Sequence, residues 1–432
     1  MTQKAGLKFR PQVILWYFYL SLLLFWNIGL SLQFFEKSST HAAFVKGLQA
    51  HQFDDFAKYY EFGSLSLSPL RSKVYEAEVE IKWWEDLLGA PLVGNLNSAH
   101  YPPYYCLWTI ILPLLPIELS YLVFMSLTLA GALFFLAQLS EQADRKNLKG
   151  KIAFAVLALT TVGAWQCVLL GQLSFLLIAV FSLYFCFFRK GNDIAAGIML
   201  ALSTLKPQYS LILATPALAD KRWRLLVSAL ICELLFCGAS IAILGWETFI
   251  NYPQLLLERE TDAETKYYGT RPSQMISLRG PLNYILPDSK AAIVSLLIYA
   301  LAAGLLLPLW RKALDAGLEK TYPSVIALTF CLALLCSPHT HLYDFSLILI
   351  AFALSIPAWR LVPQSFNGSL SYRVWCWTFA LYPVFSWLVV FKFGNDCLSA
   401  LHPLLLLLLS VLAFLQYKDV LKTAALASQP SD

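Results

Sequence analysis

His51-Gln52-Phe53-Asp54-Asp55-Phe56-Ala57-Lys58-Tyr59-Tyr60 follows closely on the first long apolar run of the chain, residues 13–35. That run is long enough to cross a bilayer, too long for a signal-peptide core, and lacks a small-residue cleavage site. A retained membrane helix is expected there. The quoted stretch then lies where the chain leaves the membrane, with two carboxylates bracketed by Phe and Tyr at headgroup depth. Asp54 and Asp55 cannot face one cleft together, because consecutive side chains diverge by about 100° on a helix and oppose each other on a strand. One of the two is therefore the candidate site group. The alternative is a helix cap or a solvated loop charge.

Composition places the rest of the chain in the same setting. Of 432 residues, 58% are hydrophobic and only 14% charged, and the mean hydropathy is +0.60. A soluble globular chain carries about 25% charged residues. The 13 Trp and 21 Tyr suit interfacial belts and sugar-facing surfaces. The nine Cys residues are scattered, mostly inside apolar runs, and form no CxxC, so neither a zinc site nor a redox pair is signalled. A formal net charge of +5 gives no sign of nucleic-acid binding.

Charge flanks predict the topology. Lys4, Lys8 and Arg10 before the first run place the N-terminus in the cytoplasm, and the segment 36–100 outside. That segment carries nine acidic residues against six Lys or Arg. Within it, residues 74–84 fit either a strand or an interfacial helix. Prolines 102, 103, 113 and 116 predict a re-entrant or interfacial piece before a span over 118–139. Arg145, Lys146, Lys149 and Lys151 mark the cytoplasm again. Spans are expected over 152–170, 174–188, 225–244, 291–310, 324–336, 345–358, 374–391 and 398–417, with a polar outer loop at 245–288. Residues 194–219 are interrupted by Lys206-Pro207-Gln208 and flanked at both ends by basic residues, which predicts two short helices meeting near the outer leaflet. The expectation is an all-α polytopic membrane protein. It is one integral domain of about twelve membrane helices, with both termini cytoplasmic and no internal repeat.

With this topology the unusual polar groups gather on one side. They are Asp54 and Asp55, Tyr101-Pro102-Pro103, Gly171-Gln172, Lys206-Pro207-Gln208, and Ser337-Pro338-His339-Thr340-His341-Leu342-Tyr343-Asp344. Ionisable groups at membrane depth are costly and mark function by default. Lys206 precedes a proline that starts a new helix, whose N-terminus favours an anion, so Lys206 is a candidate phosphate holder; a snorkelling lysine is the plain alternative. His339, His341 and Asp344 form H-x-H-x-x-D, which falls short of a catalytic zinc site, and no metal or other cofactor is expected. A proton relay or hydrogen bonds to phosphate remain open for them. Arg271 and Arg279, in the second outer loop, are candidate contacts to a lipid phosphate.

The ordered set Asp55-Phe56 with Tyr59-Tyr60, Val74-Tyr75, Tyr101-Pro102-Pro103, Gly171-Gln172, Leu205-Lys206-Pro207-Gln208, and Ser337-Pro338-His339 with Tyr343-Asp344 resembles glycosyltransferase family 87, the polyprenyl-phosphate-mannose-dependent type of the GT-C superfamily. The resemblance runs from about residue 50 to 345. It implies a GT-C helix bundle, a polyprenyl-phosphate sugar donor, a lipid or glycan acceptor, and a site in a bacterial inner membrane. It implies a base at Asp55, with Asp54 the alternative by one residue, and substrate contacts at Lys206 and His339. Tyr101, Gln172, Gln208 and His341 are candidate contacts as members of the polar islands. The chemistry suits so few groups. A polyprenyl phosphate leaves without a general acid, so one base and some cations suffice, and attack opposite the leaving group inverts the anomeric centre.

A lipid or sugar transporter, or a flippase, is the competing class, since broken helices and intramembrane charges fit it too. Such proteins pair their broken helices in two halves, and here one break is clear. A non-enzymatic membrane scaffold would not explain why the polar groups gather on one face.

Overall fold

The computed structural model describes residues 11–91, 101–141, 148–261, 274–355 and 370–427. Among these the chain is helical throughout, and it is an all-α membrane protein. In chain order the helices are α1 (Pro11–Ser38), α2 (His41–Gln49), α3 (Asp54–Ser66), α4 (Ala77–Leu88), α5 (Cys106–Thr109), α6 (Ile117–Glu141), α7 (Leu148–Thr160), α8 (Val162–Leu170), α9 (Ser174–Arg189), α10 (Asp193–Leu202), α11 (Pro207–Ala219), α12 (Trp223–Leu244), α13 (Trp246–Thr261), α14 (Arg279–Leu282), α15 (Asp288–Asp315), α16 (Leu318–Cys336), α17 (Ile348–Ser355) and α18 (Leu370–Ala427).

Five helices among the described residues are long and apolar enough to cross a membrane, and six if the bent pair α7–α8 counts as one span. The other apolar segments form shorter helices. An α9 of 16 residues rises about 24 Å, less than the ~30 Å hydrocarbon core. The expected dozen rests in part on such segments. Within residues 74–84, the helix α4 begins at Ala77. The segment 245–288 opens as a helix, α13, rather than as a loop. The proline-marked piece before α6 is broken as expected, into two 3₁₀ turns and the single turn of α5.

α10 and α11 form the predicted interrupted pair. Arg222 closes its base: Nη1 binds Phe188 O at 2.6 Å and Asp193 Oδ1 at 3.4 Å, while Nε binds Asp220 Oδ2 at 2.6 Å. The start of α10 and the end of α11 therefore lie at one end of the molecule. Ten residues of α helix and a 3₁₀ turn (Ser203–Leu205) lift Lys206 about 20 Å from that end. α12 starts at the same end and rises about 33 Å over 22 residues. Lys206 thus sits about two-thirds of the way along it.

α18 folds back on itself at Gly394, where φ is +84°. Tyr382 and His402 meet across the fold, Oη to Nε2, at 2.7 Å. In a straight helix they would be about 30 Å apart. α7 and α8 meet at 69°. The Thr161 hydroxyl caps α8 through Ala164 N at 3.2 Å, and Trp387 Nε1 takes the freed Thr160 carbonyl at 2.7 Å. Both backbone groups are satisfied, so the bend is a built feature rather than a weak point. It carries the end of α8 to the start of α3.

Candidate active site

The quoted stretch enters α3 through a left-handed turn. His51 and Phe53 have φ of +56° and +64°, a conformation that side chains adopt at a cost of about 1–2 kcal/mol. Phe53 is held there by its N–H to Leu169 O at 2.8 Å and by stacking on Phe44 at 4.6 Å. The turn sets both aspartates in the first turn of α3, where the helix dipole favours carboxylates. Their side chains then diverge. Asp54 Oδ2 meets His51 Nδ1 at 3.2 Å; the His51 ring is exposed and the Asp54 side chain largely buried. Asp55 turns inward, where Lys58 Nζ donates to Oδ1 at 3.1 Å and Gln172 Nε2 donates to Oδ2 at 2.5 Å. Burial, partly offset by Lys58, pushes the Asp54 carboxyl up to about 6.

Gln172 also accepts from Tyr59 Oη at 3.3 Å. It stands in the turn between α8 and α9, behind Gly171. That glycine has φ of +73°, and a Cβ on it would lie 2.4 Å from the Phe56 Cβ. Only glycine lets the turn approach α3 so closely. Two residues further on, Ser174 Oγ donates to Asp344 Oδ1 at 3.0 Å. Lys206 Nζ reaches the same oxygen at 2.5 Å, and His341 N donates to Oδ2 at 3.3 Å. The single turn Gly171–Ser174 therefore holds two buried carboxylates, Asp55 and Asp344, and each has its own lysine.

The island 337–344 closes the site. Gln208 Nε2 donates to His339 O at 3.1 Å, and the His339 and His341 rings meet at 4.8 Å. The ammonium of Lys206 lies 4.6 Å from the centre of the Tyr343 ring. Tyr343 and His341 both lie within electrostatic reach of Asp55 and Asp344, which joins the two centres into one site. Burial, and then His339, pulls His341 down to about 3, so its imidazole is neutral and offers hydrogen bonds rather than charge. Tyr101 packs on Tyr59 at 4.9 Å and stacks on Tyr105 at 4.5 Å. Burial raises the phenols of Tyr59 and Tyr101 well above their ordinary range, so both are neutral.

The structure thus brings together Asp55, Gln172, Tyr101, Lys206, Gln208, His339 and His341. Asp54 sits at the rim. Arg279 lies behind the island, buried, with Nη1 on Pro338 O at 3.0 Å, where it braces the loop that carries His339. Arg271 lies outside the described residues. Sequence reasoning missed Lys58, Ser174 and the pairing of Lys206 with Asp344. The spacing Asp55-x-x-Lys58 was the available signal for the first, since i and i+3 share a helix face. Among the described residues no group of three or more His, Cys, Asp or Glu is placed to hold a metal ion.

The family model of glycosyltransferase family 87 matches residues 99–338. The chain belongs to glycosyltransferase family 87. It is therefore a membrane glycosyltransferase. The matched region contains Tyr101, Gln172, Lys206, Gln208, Arg271 and Arg279, and stops one residue before His339. Asp54 and Asp55 precede it. In the folded family 87 glycosyltransferase those two parts converge, through the hydrogen bond of Gln172 to Asp55. None of the curated proteins compared with the chain matches it.

Proposed function

We propose that this glycosyltransferase moves a hexose, mannose by the family resemblance, from a polyprenyl-phosphate donor to a lipid or glycan acceptor, with inversion, and that Asp55 is the base. One observation carries the proposal. A buried carboxylate held only by side chains shares the Gly171–Ser174 turn with a second centre built on Lys206. Asp55 takes the proton of the acceptor hydroxyl. The acceptor oxygen bonds to the anomeric carbon, and the phosphate leaves with the electron pair of the broken C–O bond. No acid is required, because the phosphate is already a stable anion.

Lys206 is the proposed donor-phosphate contact. Asp344 balances its charge, but an ammonium has three N–H donors and Asp344 accepts one of them. The N-terminus of α11 lies beside it and adds the positive end of a helix dipole. Tyr101, Gln172, Gln208, His339 and His341 line the same site and offer hydrogen-bonding groups to sugar hydroxyls. Arg279 is proposed to act through the loop it braces, and Arg271 is proposed as a contact to the lipid phosphate. The family resemblance implies a GT-C-type bundle in a bacterial inner membrane, and the charge flanks of the sequence support cytoplasmic termini with the site on the outer face.

The test is transfer by the purified chain in liposomes from a radiolabelled polyprenyl-phosphate hexose. Transfer from that donor to a glycolipid acceptor supports the proposal. Transfer from a nucleotide sugar with no lipid donor present would overturn it, as would vesicle counterflow of the donor without turnover.

A further inference from the structure

We propose that Lys58 keeps Asp55 in its charged, proton-accepting form; the inference rests on the reading of Asp55 as base. Burial favours the neutral form of a carboxyl group, and a neutral carboxyl cannot take a proton. Among the described residues Lys58 is the only cation within ion-pair distance of Asp55. Its side chain is 4% exposed, so the ammonium itself depends on a counter-charge. Among the described residues, the other groups facing Asp55 carry no positive charge. Gln172, from the α8–α9 turn, is an amide. Tyr101, from the segment before α5, and Tyr343 and His341, from the 337–344 island, are neutral. On α3 itself Asp54 adds a further carboxyl, and Lys58 acts on that one too. One lysine thus serves two acidic neighbours and touches the inner one.

The geometry also predicts how the base resets. When the acceptor proton moves to Asp55, buried Lys58 loses the counter-charge it touches. That imbalance favours release of the proton once product departs. Lys58 acts here through Asp55 and does not hold substrate, so it is a positioning residue.

The experiment uses the full chain in liposomes with the labelled polyprenyl-phosphate hexose. It compares Lys58→Met, Lys58→Arg, Asp55→Asn and the double variant Asp55→Asn with Lys58→Met. At about pH 7, Lys58→Met should lose about tenfold or more in kcat, with the donor KM unchanged, and should recover as the assay approaches about pH 9. Lys58→Arg should retain most of the activity. In the Asp55→Asn background, Lys58→Met should cost nothing more, because the two act as one unit. Should Lys58→Met fail to fold, Lys58→Gln is expected to behave in the same way. A raised donor KM in Lys58→Met would make Lys58 a phosphate holder and overturn the inference. So would a loss that no pH restores. An active Asp55→Asn would remove the base itself; an inactive one beside an unshifted Lys58→Met profile would remove only the role of Lys58.

Discussion

Asp55 and Asp344 are both buried carboxylates paired with a lysine, and both are reached from the same four-residue turn. They differ in how they are held. Asp344 has a side-chain exposure of 1%, and one of its oxygens takes a backbone N–H, that of His341. Asp55 has an exposure of 12%, and its partners are the ends of two long side chains, Lys58 and Gln172. Long side chains can swing aside when an acceptor hydroxyl arrives. A backbone amide cannot move without unmaking its loop. On the proposed reading, the same pairing yields a working group in one place and an anchor in the other.

The comparison breaks first at Asp55→Asn. Loss of a general base costs about two to four orders of magnitude in turnover, and the amide keeps the carboxylate shape. The unfolding temperature in detergent should fall somewhat, because Lys58 is left buried beside a neutral amide, while kcat collapses at temperatures where the variant is still folded. A fully active Asp55→Asn beside an inactive Asp344→Asn of normal stability would exchange the two roles.

Asp344→Asn should instead act on stability. It leaves Lys206 buried beside a neutral amide, and breaking a buried pair in this way costs about 3–5 kcal/mol. The unfolding temperature should drop below that of Asp55→Asn, in which Asp54 still faces Lys58. Replacing both partners, Lys206→Met with Asp344→Leu, should regain much of the loss, because no unpaired charge remains, yet transfer should stay low. Equal stability of Asp344→Asn and wild type would show that the anchor is not one.

Gly171→Ala should disturb both centres together. The new methyl meets the Phe56 Cβ at 2.4 Å, and the backbone there is left-handed. Overpacking costs about 1–3 kcal/mol, and the backbone conformation adds about 1 more. The turn must then withdraw from α3 and carry Gln172 with it. Activity should fall further than stability alone accounts for, as measured by initial rates at a temperature where the variant is fully folded.

How much of this was legible follows the same contrast. The breaks in the chain could be read, because proline and glycine announce them. Pro207 marked the Lys206 joint, and Gly171-Gln172 interrupted an apolar run. Which apolar runs meet lipid could not be read. α9 and α12 look alike in sequence, yet α9 is mostly buried in protein while only 6% of the α12 span is buried. Composition records an apolar surrounding without saying which kind. The partners of the charges were hidden for a different reason. Lys206 and Asp344 are 138 residues apart, and no periodicity joins such positions. Lys58 was one basic residue in a loop segment rich in charge, and its burial emerges only once α3 packs against the α8–α9 turn.

The smallest expected effect belongs to Asp54, the neighbour that sequence alone could not separate from Asp55. Its carboxylate, largely buried, faces His51 rather than the site, so Asp54→Asn should change transfer by less than about threefold at neutral pH. Its imprint should appear in stability. Burial raises the folded Asp54 carboxyl to about 6 from an ordinary value of 3.8. Between those two values the folded state holds the proton more tightly than the unfolded state does. Stability therefore falls as pH rises through that window, and stays lower above it. Asn in this position carries no charge and escapes the loss. Wild type and Asp54→Asn should then differ least near pH 4, with the variant gaining on the order of 1–2 kcal/mol by about pH 7. Unfolding temperatures of the two proteins across that range measure the gap. A constant difference at every pH would mean that Asp54 is fully solvated. A large loss of transfer in Asp54→Asn would move the base one residue back and reverse the assignment of the two aspartates.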